Sequence, residues 1–261
     1  MNFFDKLFYT NKYIKSIHLK FFLLFFKTKK LDSNFDLSEE IKKSKSLVVL
    51  ASGPSAKKYR HEKDDLIITT NSSYLMLHKH ARFIHIIKDL GYLHKFLMFG
   101  LKFKPLAVII DINTHSNGKG FGAHSIKLLK SYLGRRYYSF PVIITDNENL
   151  FTENRVNYGN QMSDFFEINK IKRSASNSGE LIYAYGVWLS SQENRTMKVF
   201  GIDAGEGGNK HFDGRSTASN HVAFRDHNKK RMSDFFGECQ NKYSHIFNYS
   251  FFKNNTETTN Q

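Results

Sequence analysis

The chain has 261 residues, 40 % of them hydrophobic, which is enough for one sizeable domain with an appendage and excludes a chain too polar to bury a core. Its formal net charge of +15 favours anionic partners, whether nucleic acid, anionic lipid or acidic substrates, although a lysine- and asparagine-rich composition accounts for part of the excess. Cys239 is the single cysteine, so no internal disulfide staples the fold, which fits a reducing compartment.

Residues 1–30 interleave lysines with aromatics: Phe3, Phe4, Phe8, Tyr9 and Tyr13 alternate with Lys6, Lys12 and Lys15. Such a segment suits a helix in the interface of an anionic membrane, and equally a helix that packs its rings on the domain. The apolar run Phe21–Phe26 falls far short of the roughly 20 residues that cross a bilayer. It ends in Lys27, Lys29 and Lys30 rather than in small residues suited to signal cleavage. Residues 31–45 are polar and read as a linker or a solvated helix, so 1–45 is expected to be a membrane-associating segment with its linker.

From residue 46 the pattern changes. Apolar runs recur at Leu47–Leu50, Leu66–Ile68, Phe83–Ile87, Leu106–Ile110, Val142–Ile144 and Met197–Phe200. They are β-branched and mostly continuous rather than alternating, the habit of strands buried on both faces. The predicted fold is α/β, a Rossmann-like, mostly parallel sheet with helices on both faces, over residues 46–252. The polar stretch 147–173 reads as a lid or insertion rather than core, and 253–261 as a disordered tail.

Ligands of open α/β sheets bind beyond the carboxyl ends of the strands, so the strand ends hold the candidate residues. After the first run comes Ser52-Gly53-Pro54-Ser55. The glycine lets backbone approach a ligand closely, and Pro54 suits the first turn of a helix whose free N–H groups can hold phosphate. It is neither a P-loop nor a GxGxxG fingerprint, and a plain strand-to-helix turn explains it as well. After the second run stands Asn71, whose amide can donate and accept towards a base, ribose or sugar, or simply cap a helix. Asp89 follows the third run, as a ligand group or a turn residue.

The hydroxyl-rich stretch Ser174–Gly179 opens a helix carrying Leu181, Ile182, Tyr185, Trp188 and Leu189. Ser176, Asn177, Ser178 and Gly179 form a good anion site at that start, and Asn177 with Glu180 has capping-box spacing. Gly201-Ile202-Asp203 ends the last run, ahead of a glycine-rich loop, where the aspartate can take a pair of sugar hydroxyls. His221 and His227 are candidates for a general base on a sugar hydroxyl, with His211 a substitute. Asp111-Ile112-Asn113 lacks the second carboxylate of an acidic metal motif, so neither a metal nor another cofactor is expected.

In order, these pieces resemble the bacterial sialyltransferases of glycosyltransferase family 42 and the lipopolysaccharide-core Kdo transferases. The resemblance spans roughly residues 47–227. It implies a metal-independent transfer of an acidic sugar from a CMP-sugar to a lipopolysaccharide, lipooligosaccharide or capsule acceptor. Ser52, Gly53 and Ser55 would line the phosphate and sugar, and Asn71 would contact the CMP-sugar. Ser176, Ser178 and Gly179 would cradle the donor's carboxylate or phosphate, Gly201 and Asp203 would lie at the nucleoside, and His221 would be the base. The family's asparagine before Gly-Pro-Ser is Ser52 here, and Ala204 with a run of glycines stands where the family has tyrosines that stabilise the departing phosphate. The implied location is cytoplasmic, peripheral at the inner face of the bacterial inner membrane, through residues 1–30.

Two other readings stand beside it. A pterin-type pyrophosphokinase also has an early Gly-Pro-Ser turn, but it needs ATP, Mg²⁺ and more carboxylates near the phosphates. A non-catalytic basic binder of membrane or nucleic acid fits the charge, yet no nucleic-acid motif is present and no nucleic-acid partner is expected.

Overall fold

The computed structural model describes residues 35–88, 92–93, 95–96, 103–111, 142–145, 158–173, 177–203, 211–212 and 226–247. Six strands form one sheet: β1 (Ser46–Leu50), β2 (Asp65–Thr70), β3 (Arg82–Ile87), β4 (Ala107–Asp111), β5 (Val142–Thr145) and β6 (Thr196–Phe200). Every neighbouring pair is parallel, in the order β5-β4-β3-β2-β1-β6. The fold class is therefore α/β with an all-parallel sheet. Strands β1, β2 and β4 are buried along their whole length, as their continuous apolar runs require. Strand β6, at an edge, is buried only in part, and its Lys198 pairs with Glu62 and Asp65.

One face carries four helices: α1 (Leu37–Lys42), α2 (Tyr158–Ile168), α3 (Ser178–Glu193) and α4 (Asp226–Lys242). Helix α3 is the centre of this layer. It is buried from Glu180 to Ser190, with apolar residues all round, because it lies between the sheet and the rings of α2 and α4. Tyr183 meets Phe235 edge-on at 5.8 Å, and Phe166 meets Phe235 at 5.3 Å. Asn177 caps the helix start, its Oδ1 accepting the Glu180 N–H at 2.9 Å, and Asn194 ends the helix in the left-handed conformation at φ 49°.

The other face carries the helical residues 95–96, whose Phe96 stacks on His85 of β3. Among the described residues it is closed by the 3₁₀ turns Pro54–Lys58 and Ser73–Met76 and by an aromatic cluster. Tyr74 meets His85, Phe96 and Phe103 edge-on at 5.2, 5.1 and 5.7 Å.

Two boundaries also shift. Residues 37–45 are no linker: Leu37 and Ile41 are fully buried, and the Leu37 N–H donates to the Tyr158 hydroxyl at 3.4 Å. Only the outer side of α1, with Glu39 and Lys42, is solvated. Nor is the described part of 147–173 a lid. Tyr158, Met162, Phe166 and Ile171 enter the core, because polar residues fill only the other side of α2. Residues 147–157, the 1–30 segment and the 253–261 tail lie outside the described residues. Among the described residues, no helix is long and apolar enough to cross a membrane.

Candidate functional site

Chain order runs from β1 outwards to β5, then returns to β6 on the other side of β1. The β1/β6 carboxyl ends are the topological switch point, the place where ligands of open α/β sheets bind. Helix α3 leads into β6 and points its first turn at the same place. The Gly179 Cα region faces Ile202 and Ala51, with a Cβ there falling 3.9 and 4.0 Å from their side chains.

The loop after β1 and the loop after β6 are clasped together. Gly53 N–H donates to the Gly201 carbonyl at 2.9 Å, Gly201 N–H to Ser55 Oγ at 2.8 Å, and Ser55 N–H to Asp203 Oδ2 at 3.2 Å. Pro54 opens the 3₁₀ turn with Gly53 as its cap. So sequence motifs 148 residues apart meet as expected, but two of the expected ligand groups are already engaged. The Ser55 N–H and one Asp203 oxygen satisfy each other. Gly53 has no room for a side chain, because a Cβ there would overlap the Asp203 carboxylate and lie 2.7 Å from the Gly201 carbonyl.

Two residues of the following loop close over this clasp. Phe212 N–H donates to the Ser52 carbonyl at 2.9 Å, and His211 Nδ1 lies 3.3 Å from the same oxygen. A carbonyl only accepts, so this contact needs the proton on Nδ1 and leaves the imidazole lone pair on Nε2. Among the described residues, His211 is the histidine candidate that meets the loop after β1. His227 lies in α4, in a stretch whose side chains are outside the described residues, as are His221, Asp89 and Ser176 altogether.

At the end of β2, Asn71 adopts φ 54°, a left-handed conformation that asparagine tolerates better than most residues. Its Oδ1 is buried with no hydrogen-bond partner. It does not cap the Ser73–Met76 turn, whose cap is Ser72 without a side-chain bond. Ser73 does the structural work there: Oγ accepts the Thr70 N–H at 3.1 Å and donates to the Leu50 carbonyl at 2.6 Å, tying β1 to β2. The Asn71 side-chain oxygen is therefore uncommitted, whereas the Ser55 N–H is engaged.

A second polar group was missed by the sequence reading. Lys88 after β3, Asp111 at the end of β4, Arg173 after α2 and Glu180 and Tyr185 on α3 converge inside the helix-covered face. Lys88, Asp111 and Glu180 are 3 %, 0 % and 0 % exposed. Tyr185 Oη donates to Asp111 Oδ2 at 3.0 Å, and Arg173 Nε donates to Glu180 Oε1 at 3.4 Å while its guanidinium sits 6.0 Å from the Phe166 ring. Burial lowers the Lys88 pKa, and Arg173 adds to this, against the opposing pull of Glu180 and Asp111. The capping box is only half formed, since the Glu180 carboxylate turns to Arg173 instead of back to Asn177. The signal for this group was the charge of Lys88 and Asp111 directly at strand ends, but partners so far apart in sequence give no local pattern. Changing Tyr185 to phenylalanine removes a charge-assisted bond to a buried carboxylate. The expected loss is about 1.5–3 kcal/mol in urea denaturation at neutral pH.

No protein-family model matches this chain, and no curated protein or solved structure matches it either. What the described residues define is an open, all-parallel α/β sheet with two closely packed glycine-containing loops, after β1 and β6, at its switch point. They hold no group of three or more His, Cys, Asp or Glu side chains arranged for a metal ion.

Proposed function

We propose that this chain is a CMP-sugar-dependent glycosyltransferase on a Rossmann-like, sialyltransferase-like scaffold. It moves an acidic sugar, of the sialic acid or Kdo type, to a lipopolysaccharide, lipooligosaccharide or capsule acceptor. The reading rests above all on the meeting of Gly53, Gly201, Asp203 and the start of α3 at the carboxyl ends of β1 and β6. The order of those motifs carried the family resemblance, and their meeting at a switch point is what a nucleotide-sugar site requires.

In this scheme the nucleotide lies across the β1 and β6 ends, with Asn71 reaching it from β2. N–H groups in the first turn of α3 face the phosphate and take up the charge that develops as CMP leaves. The acceptor oxygen forms a bond to the anomeric carbon, the bond from that carbon to the CMP phosphate oxygen breaks, and CMP departs with the electron pair. The acceptor proton passes to a histidine, for which His211 Nε2 is the best-placed group described. No metal step is invoked: Asp111, the one carboxylate of the acidic-looking motif, accepts from Tyr185 instead. The basic chain suits an anionic donor and an anionic lipid-linked acceptor at the inner face of a bacterial inner membrane.

The test is CMP release by purified full-length protein, offered CMP–N-acetylneuraminic acid or CMP–Kdo with lipooligosaccharide and capsule acceptors. Turnover is expected, and His211→Ala is expected to lower kcat by about 10²–10⁴-fold with a small change in donor KM. The same comparison at His221 and His227 identifies the base if His211 is silent. Failure to release CMP with either donor across these acceptors would sink the proposal.

A further inference from the structure

The buried charges on the helix-covered face leave polar atoms without partners. An ion-pair cluster placed inside a protein loses hydration, and an apolar core of the same shape would be as stable or more so. A cluster kept for rigidity has its bonds completed, since each orphaned polar atom is costly. Here they are left open. Glu180 Oε2, Arg173 Nη2 and Thr70 Oγ1 are buried and without a hydrogen-bond partner. Thr70 is 1 % exposed and Glu180 0 %.

Arg173 and Glu180 are paired, and the sheet register puts Thr70 on the same face. Thr70 ends β2, next along the strand from Thr69, which pairs with Leu50, so it lies beside Ala51. It shares a sheet face with Ile68, which packs in the helix-covered core. Gly179 sits over Ala51 of β1, and Glu180 is the next residue of the same helical turn. The first turn of α3 thus lies over the end of β1, whose neighbour β2 carries Thr70 on the same face.

We infer that Thr70, Arg173 and Glu180 form a polar subsite, next to the nucleotide crevice, for the hydroxylated part of the transferred sugar. Glu180 Oε2 can only accept and Arg173 Nη2 can only donate, and Thr70 Oγ1 can do either. The complementary group carries hydroxyl or amide N–H donors beside a carbonyl or carboxylate oxygen. A polyhydroxylated acidic sugar meets that demand, and a neutral apolar group does not. This inference rests on the glycosyltransferase reading, because it assigns the second half of the same donor.

The experiment compares the affinities of the full chain for CMP, CMP–N-acetylneuraminic acid and CMP–Kdo by calorimetry, in the wild type, Thr70→Val and Glu180→Gln. The wild type is expected to hold at least one CMP-sugar more tightly than CMP. In Thr70→Val that preference falls about tenfold, the value of a hydrogen bond to a ligand hydroxyl. The same variant removes an orphaned buried oxygen at constant shape, so its Tm rises by about 2–4 °C. Lower sugar preference together with higher Tm is an outcome that a purely structural threonine does not produce. Glu180→Gln is expected to lower the preference as well, and if it does not fold, Thr70→Val decides alone. An unchanged CMP-sugar to CMP ratio in Thr70→Val, or a wild type that holds neither CMP-sugar better than CMP, overturns the subsite while leaving the nucleotide crevice standing. No binding of CMP to the wild type overturns the crevice reading, and the subsite with it.

Discussion

Replacing Gly201 by alanine is expected to destabilise the protein by about 3 kcal/mol or more, enough to lower its urea midpoint sharply or leave it unfolded. Gly201 has φ +73°, where an L-residue costs about 1–3 kcal/mol. A Cβ there would also overlap the Ala51 carbonyl oxygen and come within 3.0 Å of the Ala56 side chain. Both neighbours are held: Ala51 N–H donates to the Phe200 carbonyl at 2.9 Å, and Ala56 is fully buried. Relaxation would therefore have to part the ends of β1 and β6. Gly53→Ala meets the more compliant Asp203 carboxylate, together with the Gly201 carbonyl at 2.7 Å, so its loss is expected to be smaller. Asp203→Ala removes only the bond to Ser55 N–H and is expected to cost about 1 kcal/mol. The order Gly201, Gly53, Asp203 in stability loss is the signature of a clasp that shapes the crevice. Equal and small losses at all three would mean that the two loops close independently.

That clasp explains how much of the site could be read from sequence. The strands were legible because β1, β2, β3 and β4 are buried on both faces, and a continuous β-branched run has few other meanings. Their ends were legible for the same reason, and Gly53, Gly201 and Asp203 do meet. What the pattern hid was who bonds to whom. Ser55 looked like a phosphate donor, yet its N–H goes to Asp203, a pairing decided by the neighbouring position of β1 and β6. Tyr185 reads as one more apolar ring on α3, and only the fold brings its hydroxyl to Asp111. Glu180 reads as half of a capping box, and only the turn after α2 supplies Arg173. The polar sequence of α2 concealed Met162 and Phe166 on its inner side, where a short helix needs few apolar residues to dock.

His85 carries the second large prediction. Its ring is fully buried in the aromatic cover of the sheet, stacked on Phe96 at 4.3 Å and met edge-on by Tyr74, with Nδ1 2.8 Å from Thr69 Oγ1. Burial drives its pKa from the usual 6.5 down to about 3, against a smaller opposing effect of the hydrogen bonding at Thr69. Protonation would also create a second ring N–H, on a buried Nε2 that has no partner. The unfolded chain binds this proton at about pH 6.5 and the folded chain resists it until about pH 3, so stability contributed by the neutral ring is present above pH 6.5 and lost as the pH falls. The expected loss is about 2 kcal/mol between pH 6.5 and pH 5, rising to about 4–5 kcal/mol at pH 3. Carboxylates act lower down. Glu40 and Glu62 have depressed pKa values in the fold, Glu40 through its bonds to Lys43 and Arg82 outweighing burial, Glu62 through its bond to Lys198. Their contribution is present above the unfolded value of 4.5 and is lost below it, leaving the window from pH 6.5 to 5 to His85 among these groups. Urea midpoints measured across that window are expected to fall in the wild type and to stay nearly level in His85→Phe, where a ring of similar size keeps the stack on Phe96 and Thr69 Oγ1 keeps the Ile84 carbonyl at 3.3 Å. Parallel pH profiles for the two proteins would place the acid sensitivity elsewhere and show the buried imidazole to be hydrated.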